Sequence, residues 1–258
     1  IIPANGSKIL TVKGDLAAVG IGQATSTSGV LIEVDYDGSD STGTRAIGVA
    51  SNSTIDTSST SDTDVAGVRV HRSMPTITYS AISGTLTNGT VSLATVTVAA
   101  DAKNDVQLYE LTFTIATTSA TVTSWTFTGP NGSVGTVTNT AGTSLNVVFD
   151  SSTNTADNDI PAGGSKTYTI GGTVSGLTGS TAGVVSIALT ADTAYPSLAT
   201  LMGTASGVAS GSSIVWSPNS TTTPSSTGST DWTNGYGLGG CFAQSGLGAN
   251  CFAVTKAQ

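Results

Sequence analysis

The chain has 258 residues and a net charge of −8, yet only 9% of its residues are charged, and Ser and Thr fill 81 positions (46 Thr, 35 Ser). Eight basic residues against sixteen acidic ones cannot supply the basic face of a nucleic-acid binder, and two Glu with five Lys are too few for a coiled coil or helical bundle. No run of about 18 apolar residues offers a membrane span, and a mean hydropathy of +0.17 is unlike a disordered chain.

In chain order, the first element is the segment IPANGSKILTVKG at 2–14, a turn feeding a strand. It returns as IPAGGSKTYTIGG at 160–172, an offset of 158, with eight of thirteen positions identical: Ile2/Ile160, Pro3/Pro161, Ala4/Ala162, Gly6/Gly164, Ser7/Ser165, Lys8/Lys166, Thr11/Thr169 and Gly14/Gly172. After each copy comes a Gly/Ser/Thr loop, then an apolar strand (GVLIEV at 29–34, GVVSIAL at 183–189), then a closing strand (GVRVHRSMP at 67–75, SSIVWSP at 212–218). Between the copies stand five predicted strands with no counterpart in the first: 76–82, 91–100, 106–116, 121–129 and 144–150. In the third of these Leu108, Glu110, Thr112 and Thr114 form a polar-leaning face against Tyr109, Leu111, Phe113 and Ile115. Turns at TNG (87–89), KND (103–105) and PNG (130–132) separate them at a spacing of about ten residues, the rhythm of a β-sandwich.

The expected fold is therefore all-β: two immunoglobulin-like β-sandwich units, the first incomplete, with a disulfide-pinned C-terminal tail. The unit 75–217 is complete, whereas 1–74 lacks the equivalent of its leading half. Such a half-sandwich leaves apolar surface and strand edges open, and strands from a neighbouring subunit, a bound cleaved fragment, or exchange of residues 1–20 would each close it. A smaller but self-sufficient first domain is the plainer alternative. No signal-peptide pattern opens the sequence, as in a mature form. The third region, 218–258, reads as a Ser/Thr/Pro linker (217–230) followed by a Gly-rich tail whose Trp232, Tyr236, Phe242 and Phe252 need a surface to dock on.

Candidate sites are few. Cys241 and Cys251, the only two cysteines, enclose nine residues and read as a disulfide, which implies an oxidising, extracellular setting. Asp35, Asp37 and Asp40 surround a Gly in an oxygen-rich loop that suits calcium or is simply an acidic turn. No other cofactor is indicated. His71 reads as a lone surface histidine and Glu110 as a solvated carboxylate, and Asp157 and Asp159 as turn residues. Lys8 and Lys166 recur at equivalent positions, which invites the thought of a side-chain cross-link, though a solvated turn Lys is simpler. With no nucleophile elbow and no clustered acid/base pair, the chain reads as a non-enzyme.

The order IPAGGSKTYTI, then VRVHRSMPTITYSAISGTLTNGTVSLATVTVAADAKNDVQLYELTFTI, then IVWSPNS and DWTNGY resembles the large tandem β-sandwich surface proteins of ultrasmall candidate-phylum (Patescibacteria-like) bacteria. The likeness covers most of 1–20 and 68–236, and its more specific parts are the R-S-x-P-T entry at 72–76 and the A-D-A-x-x-D-V turn at 100–106. It implies a cell-surface protein and brings no catalytic residues.

These readings converge on a secreted structural subunit of an extracellular filament or pilus, or a surface-layer component, self-associating head to tail by strand exchange. The expected donor strand carries Ile1, Ile2, Ile9, Leu10 and Val12. The competing class is a cell-surface adhesin or carbohydrate-binding module, with host-cell surfaces or glycans as partners and Trp232 and Tyr236 as its stacking platform. A secreted hydrolase on a sandwich scaffold is a third class, with no residue cluster to carry it.

Overall fold

The computed structural model describes residues 1–3, 5–20, 28–34, 36, 45–56, 67–140, 142–149, 155–179, 181–192, 202–221, 225–238 and 250–258, of which 55–56, 155 and 250–254 by main chain only. Its strands are β1 (Val30–Ile32), β2 (Arg45–Ile47), β3 (Thr54–Asp56), β4 (Val68–Val70), β5 (Pro75–Ala81), β6 (Gly89–Ala100), β7 (Val106–Thr118), β8 (Thr121–Gly129), β9 (Gly132–Ser133), β10 (Thr136–Thr140) and β11 (Ser144–Val148). There follow a short 3-10 turn (Thr155–Asp157), β12 (Asp159–Ile160), β13 (Ser165–Ser175), β14 (Val184–Thr190), α1 (Ala205–Ala209), β15 (Ile214–Ser217), β16 (Thr233–Asn234) and β17 (Asn250–Ala257). The all-β expectation holds, and every strand pairing among the described residues is antiparallel.

From Pro75 onward two sheets face each other as an immunoglobulin-like sandwich. One runs β5-β6-β13-β8-β9; the other runs β10-β11-β7-β14-β17. Long β7 organises the second sheet, with β12 and β11 along one flank and β15 and β14 along the other. Alternation of Val, Ile and Phe with Thr puts one face of each strand inward, and Val96, Val98, Phe113, Leu145, Val147 and Ile170 are all fully buried. At the centre Phe127 stacks on Tyr168 at 5.2 Å and meets Phe149 edge-on at 5.9 Å. Tyr168 donates its hydroxyl to the Asp157 carbonyl at 2.6 Å, which satisfies the one polar atom that the ring takes inside.

Strand β7 departs from its expected two-face pattern. Val106 and Leu108 point into the core, and so do Leu111, Phe113 and Ile115. The phase changes at 109–110, where Val215 faces Glu110 and Trp216 faces Leu108. This bulge turns Leu108 inward and Tyr109 away from the main core.

The tail also differs from its expected boundary. The region 218–258, expected as a separate linker and a tail that docks on a surface, supplies a strand of the sandwich itself: β17 pairs with β14 from Val184↔Ala257 to Thr190↔Asn250. The Leu86 amide donates to the Ala257 carbonyl at 2.7 Å, and Lys256 Nζ crosses to the Ser92 carbonyl of the other sheet at 3.0 Å. The sandwich therefore extends past 217. Units 1–74 and 75–217 differ just as sharply in burial: no described residue before Met74 packs into a hydrophobic cluster.

Two outcomes follow. Phe127→Ala should cost about 3–5 kcal/mol in urea unfolding, and removing residues 250–258 should lower the midpoint clearly, because it strips a paired strand from β14. A truncation without effect would show that β17 is not part of the cooperative unit.

Candidate assembly strand and the polar joint

The two copies of the repeat form the same turn. Gly6 N donates to the Pro3 carbonyl at 2.9 Å, and Gly164 N to the Pro161 carbonyl at 2.8 Å. Asn5 and Gly163 hold the positive φ that the turn demands, 58° and 67°. In both copies a Cβ on the following Gly would sit within 2.8 Å of the proline Cγ, so the shared glycine is steric in origin.

Beyond the turn the copies part. Residues 165–175 become β13, paired on both sides by β6 and β8. Residues 7–18 form no strand. Their apolar side chains stand in solvent: Ile9 is 92% exposed, Leu10 94% and Val12 74%, with Ile1 and Ile2 also exposed. This is where the structure places all five expected donor residues, on one unpaired segment.

The linker expected at 217–230 is a compact loop, described here as far as 221 and from 225. Asp231, almost fully buried, accepts hydrogen bonds from Ser217 Oγ (2.9 Å), Ser220 N (2.8 Å), Ser225 Oγ (2.5 Å) and Ser220 Oγ. Asn219, at φ 45°, donates Nδ2 to Asp105 (2.7 Å) and Asp159 (3.3 Å), and its carbonyl accepts from Arg72 (2.9 Å) and Asn104 (3.2 Å). Ser73 Oγ donates to the Asn104 carbonyl at 2.6 Å. The strand leaving the first unit is thereby tied to the end of the sandwich. Burial, then the neighbouring Asp105, raises the Asp159 carboxyl. Nearby, Asp192 accepts from the amides of Ser213, Ile214 and Gly235, and burial pushes its carboxyl up.

Several side chains differ from their sequence reading. His71 is half-buried against Trp216, ring centroids 5.2 Å apart. Burial first, then the Arg69 charge, lowers it to about 4, against a pull upward from Asp231. Ser28 Oγ lies 3.5 Å from His71 Nδ1. Glu110 is not solvated: it is 7% exposed, bound by Asn146 Nδ2 (2.5 Å) and Thr112 Oγ1 (3.4 Å), and raised by burial. Asp157 is fully buried and clamps the 130–132 turn through Asn131 N (3.0 Å) and Nδ2 (2.7 Å). Trp232 is 1% exposed, edge-on to Tyr109 at 5.8 Å with its Nε1 on the Ser226 carbonyl, and Tyr236 is half-buried. Sequence reasoning missed the role of Asp231; its only signal was an acid closing a Ser-rich stretch.

Asp35, Asp37, Asp40, Cys241 and Phe242 lie outside the described residues, as do the side chains of Cys251 and Phe252. Among the described residues no group of three or more His, Cys, Asp or Glu side chains is placed to hold a metal, and no helix is long and apolar enough to cross a membrane.

No family model and no curated protein matches this chain. Among solved structures it is similar to the full-length major pilin RrgB from Streptococcus pneumoniae, at 10% identity and a TM-score of 0.28, over 52% of this chain and 28% of the pilin. A second is a structure of manganese lipoxygenase of Gaeumannomyces graminis with part of a zonadhesin of Komagataella pastoris, at 14% identity and a TM-score of 0.22, over 54% of this chain and 47% of that one. The chain thus spans less than half the length of either, and likenesses this loose carry no argument about function.

Asp231→Ala should cost about 2–4 kcal/mol, because three seryl hydroxyls and an amide lose their shared acceptor; urea unfolding measures it. The unfolded chain protonates His71 near pH 6.5, whereas the fold resists until about 4. Stability from this residue is therefore lost as pH falls through that window, by about 1–2 kcal/mol between pH 7 and 5. His71→Gln should lose that dependence, while the raised carboxyls of Glu110, Asp159 and Asp192 act equally in both proteins and cancel in the comparison.

Proposed function

We propose that this chain is a structural subunit of an extracellular filament or pilus, and that units are joined by strand complementation through residues 1–13. One observation carries the reading. A segment with the sequence and turn of β13 stands unpaired, with its apolar side chains in water, whereas its twin is the doubly paired centre of a finished sheet. Exposed apolar side chains on a segment that pairs with no strand among the described residues are the features of a strand that completes another sheet. A contact in which one end of a unit enters another is heterologous, and it propagates as an open fibre unless it closes into a ring. The Ser/Thr-rich, charge-poor composition and the single pair of cysteines support an extracellular setting.

The glycan-binding alternative rests on aromatic platforms. With Trp232 buried beneath Tyr109, its main platform has no free face, so the assembly reading comes first. Electron microscopy of native secreted material should show filaments from which this chain is recovered, and deleting residues 1–14 in the producing cell should abolish them. Filaments unchanged by the deletion would rule out the N-terminal segment as the joining strand.

A further inference from the structure

We infer that residues 2–13 enter a further unit of this repeat as 160–171 enter theirs, with 7–13 as its central strand between two antiparallel strands of the β6 and β8 type and Ile2 ahead of the turn beside a β7-type strand, so that Ile2, Leu10 and Val12 turn into the core and Ile9 turns out. This rests on the reading of the segment as an assembly strand and adds its register and its partner. The offset of 158 equates Ile2, Leu10 and Val12 with Ile160, Tyr168 and Ile170. All three counterparts have no exposed surface. Ile9 equates with Thr167, which is exposed on the outer face. Of the apolar side chains on the segment, Ile9 is thus the one that the register leaves in water, although its neighbours make it look equivalent.

The sheet around β13 shows what the partner must offer. Tyr168 faces Val96 and Ile170 faces Ala94 on β6, while Ile170 faces Phe127 on β8. Within residues 1–258 these two strands are already filled, β6 from Gly89 to Ala99 and β8 from Thr121 to Thr128. They are also the wrong shape. Lys13 stands where β13 has Gly171, and a Cβ there would lie 2.9 Å from Thr126 Oγ1 and 3.1 Å from the Val91 carbonyl. The acceptor pair is therefore not the finished sandwich of a second copy. It belongs to a polypeptide segment of the 75–158 type that lacks its own central strand and is open opposite Lys13. It needs no acceptor for a hydroxyl, since Leu10 replaces the Tyr168 that donates to Asp157. The turn at 3–6 is already closed by its own hydrogen bond, so part of the ordering cost of binding is met in advance.

The test places a copy of residues 75–158 directly before Ile1 of the full chain, so that Ile1 stands where Asp159 stands in the second unit, and reads amide hydrogen exchange at residues 9–12. Exchange there should slow by at least about tenfold relative to the unextended chain. Leu10→Asp or Val12→Asp should remove the gain, and Ile9→Asp should keep it. A control chain carries residues 160–171 in place of 2–13. Protection in the control but not in the extended chain would overturn the inference. So would protection in neither, because the first unit would then not be of this repeat, and so would an Ile9→Asp effect equal to that of Leu10→Asp. Protection of 9–12 together with filaments indifferent to loss of residues 1–14 would keep the strand assignment and discard the filament role; filaments lost on deletion without protection would do the reverse.

Discussion

A strand with apolar side chains on one face is held most firmly where both its edges are paired and a second sheet covers that face. Strand β13 meets all three conditions. It lies between β6 and β8, and it sends Tyr168 and Ile170 under the opposite sheet. Residues 7–13 carry nearly the same message and meet none of them. The contrast lies outside the local sequence, since both copies close the same turn with the same hydrogen bond. It lies in what stands beside them: β6 and β8 flank the second copy, and among the described residues no strand pairs with the first.

The complete unit shows how a chain so poor in charge holds its ends together. Its core is ordinary sandwich packing around Phe127, Tyr168 and Phe149. Its loops rely on carboxylates that gather several donors each. Asp231 collects three serines and an amide, Asp192 three amides, and Asp157 both donors of Asn131. A buried acid satisfied in this way fixes a loop more firmly than surface ion pairs would. The arrangement also accounts for the joint between the units, where Arg72, Ser73 and His71 lead straight into the Asn219 and Trp216 region.

Much of this was legible in advance. Five strands of the complete unit stood out by alternation of Val, Ile and Phe with Thr and by Gly turns, and they appear within a few residues of the expected ends. The internal repeat singled out the N-terminal segment, on which Ile9, Leu10 and Val12 stand in solvent. The failures share a cause. Leu108 and Glu110 are buried and Tyr109 turns away from the main core because a bulge resets the alternation on β7, and a bulge depends on the strand opposite. The Ser/Thr/Pro stretch reads as a linker by composition, yet Asp231, the next residue, gathers its serines, and Arg72 and Asp105, far along the chain, hold its Asn219; His71 and Trp232 lie inside because Trp216 and Tyr109 pack against them.

The sequence by itself determined the class of fold, the position of most strands and the kinship of 2–14 with 160–172, because period-two patterning, turn glycines and repeats are local properties of the chain. Only the tertiary structure decided which copy of that motif is buried and that the last residues return as β17 beside β14. Those outcomes depend on pairing partners and on a covering sheet contributed from far along the chain, and no local pattern encodes a neighbour.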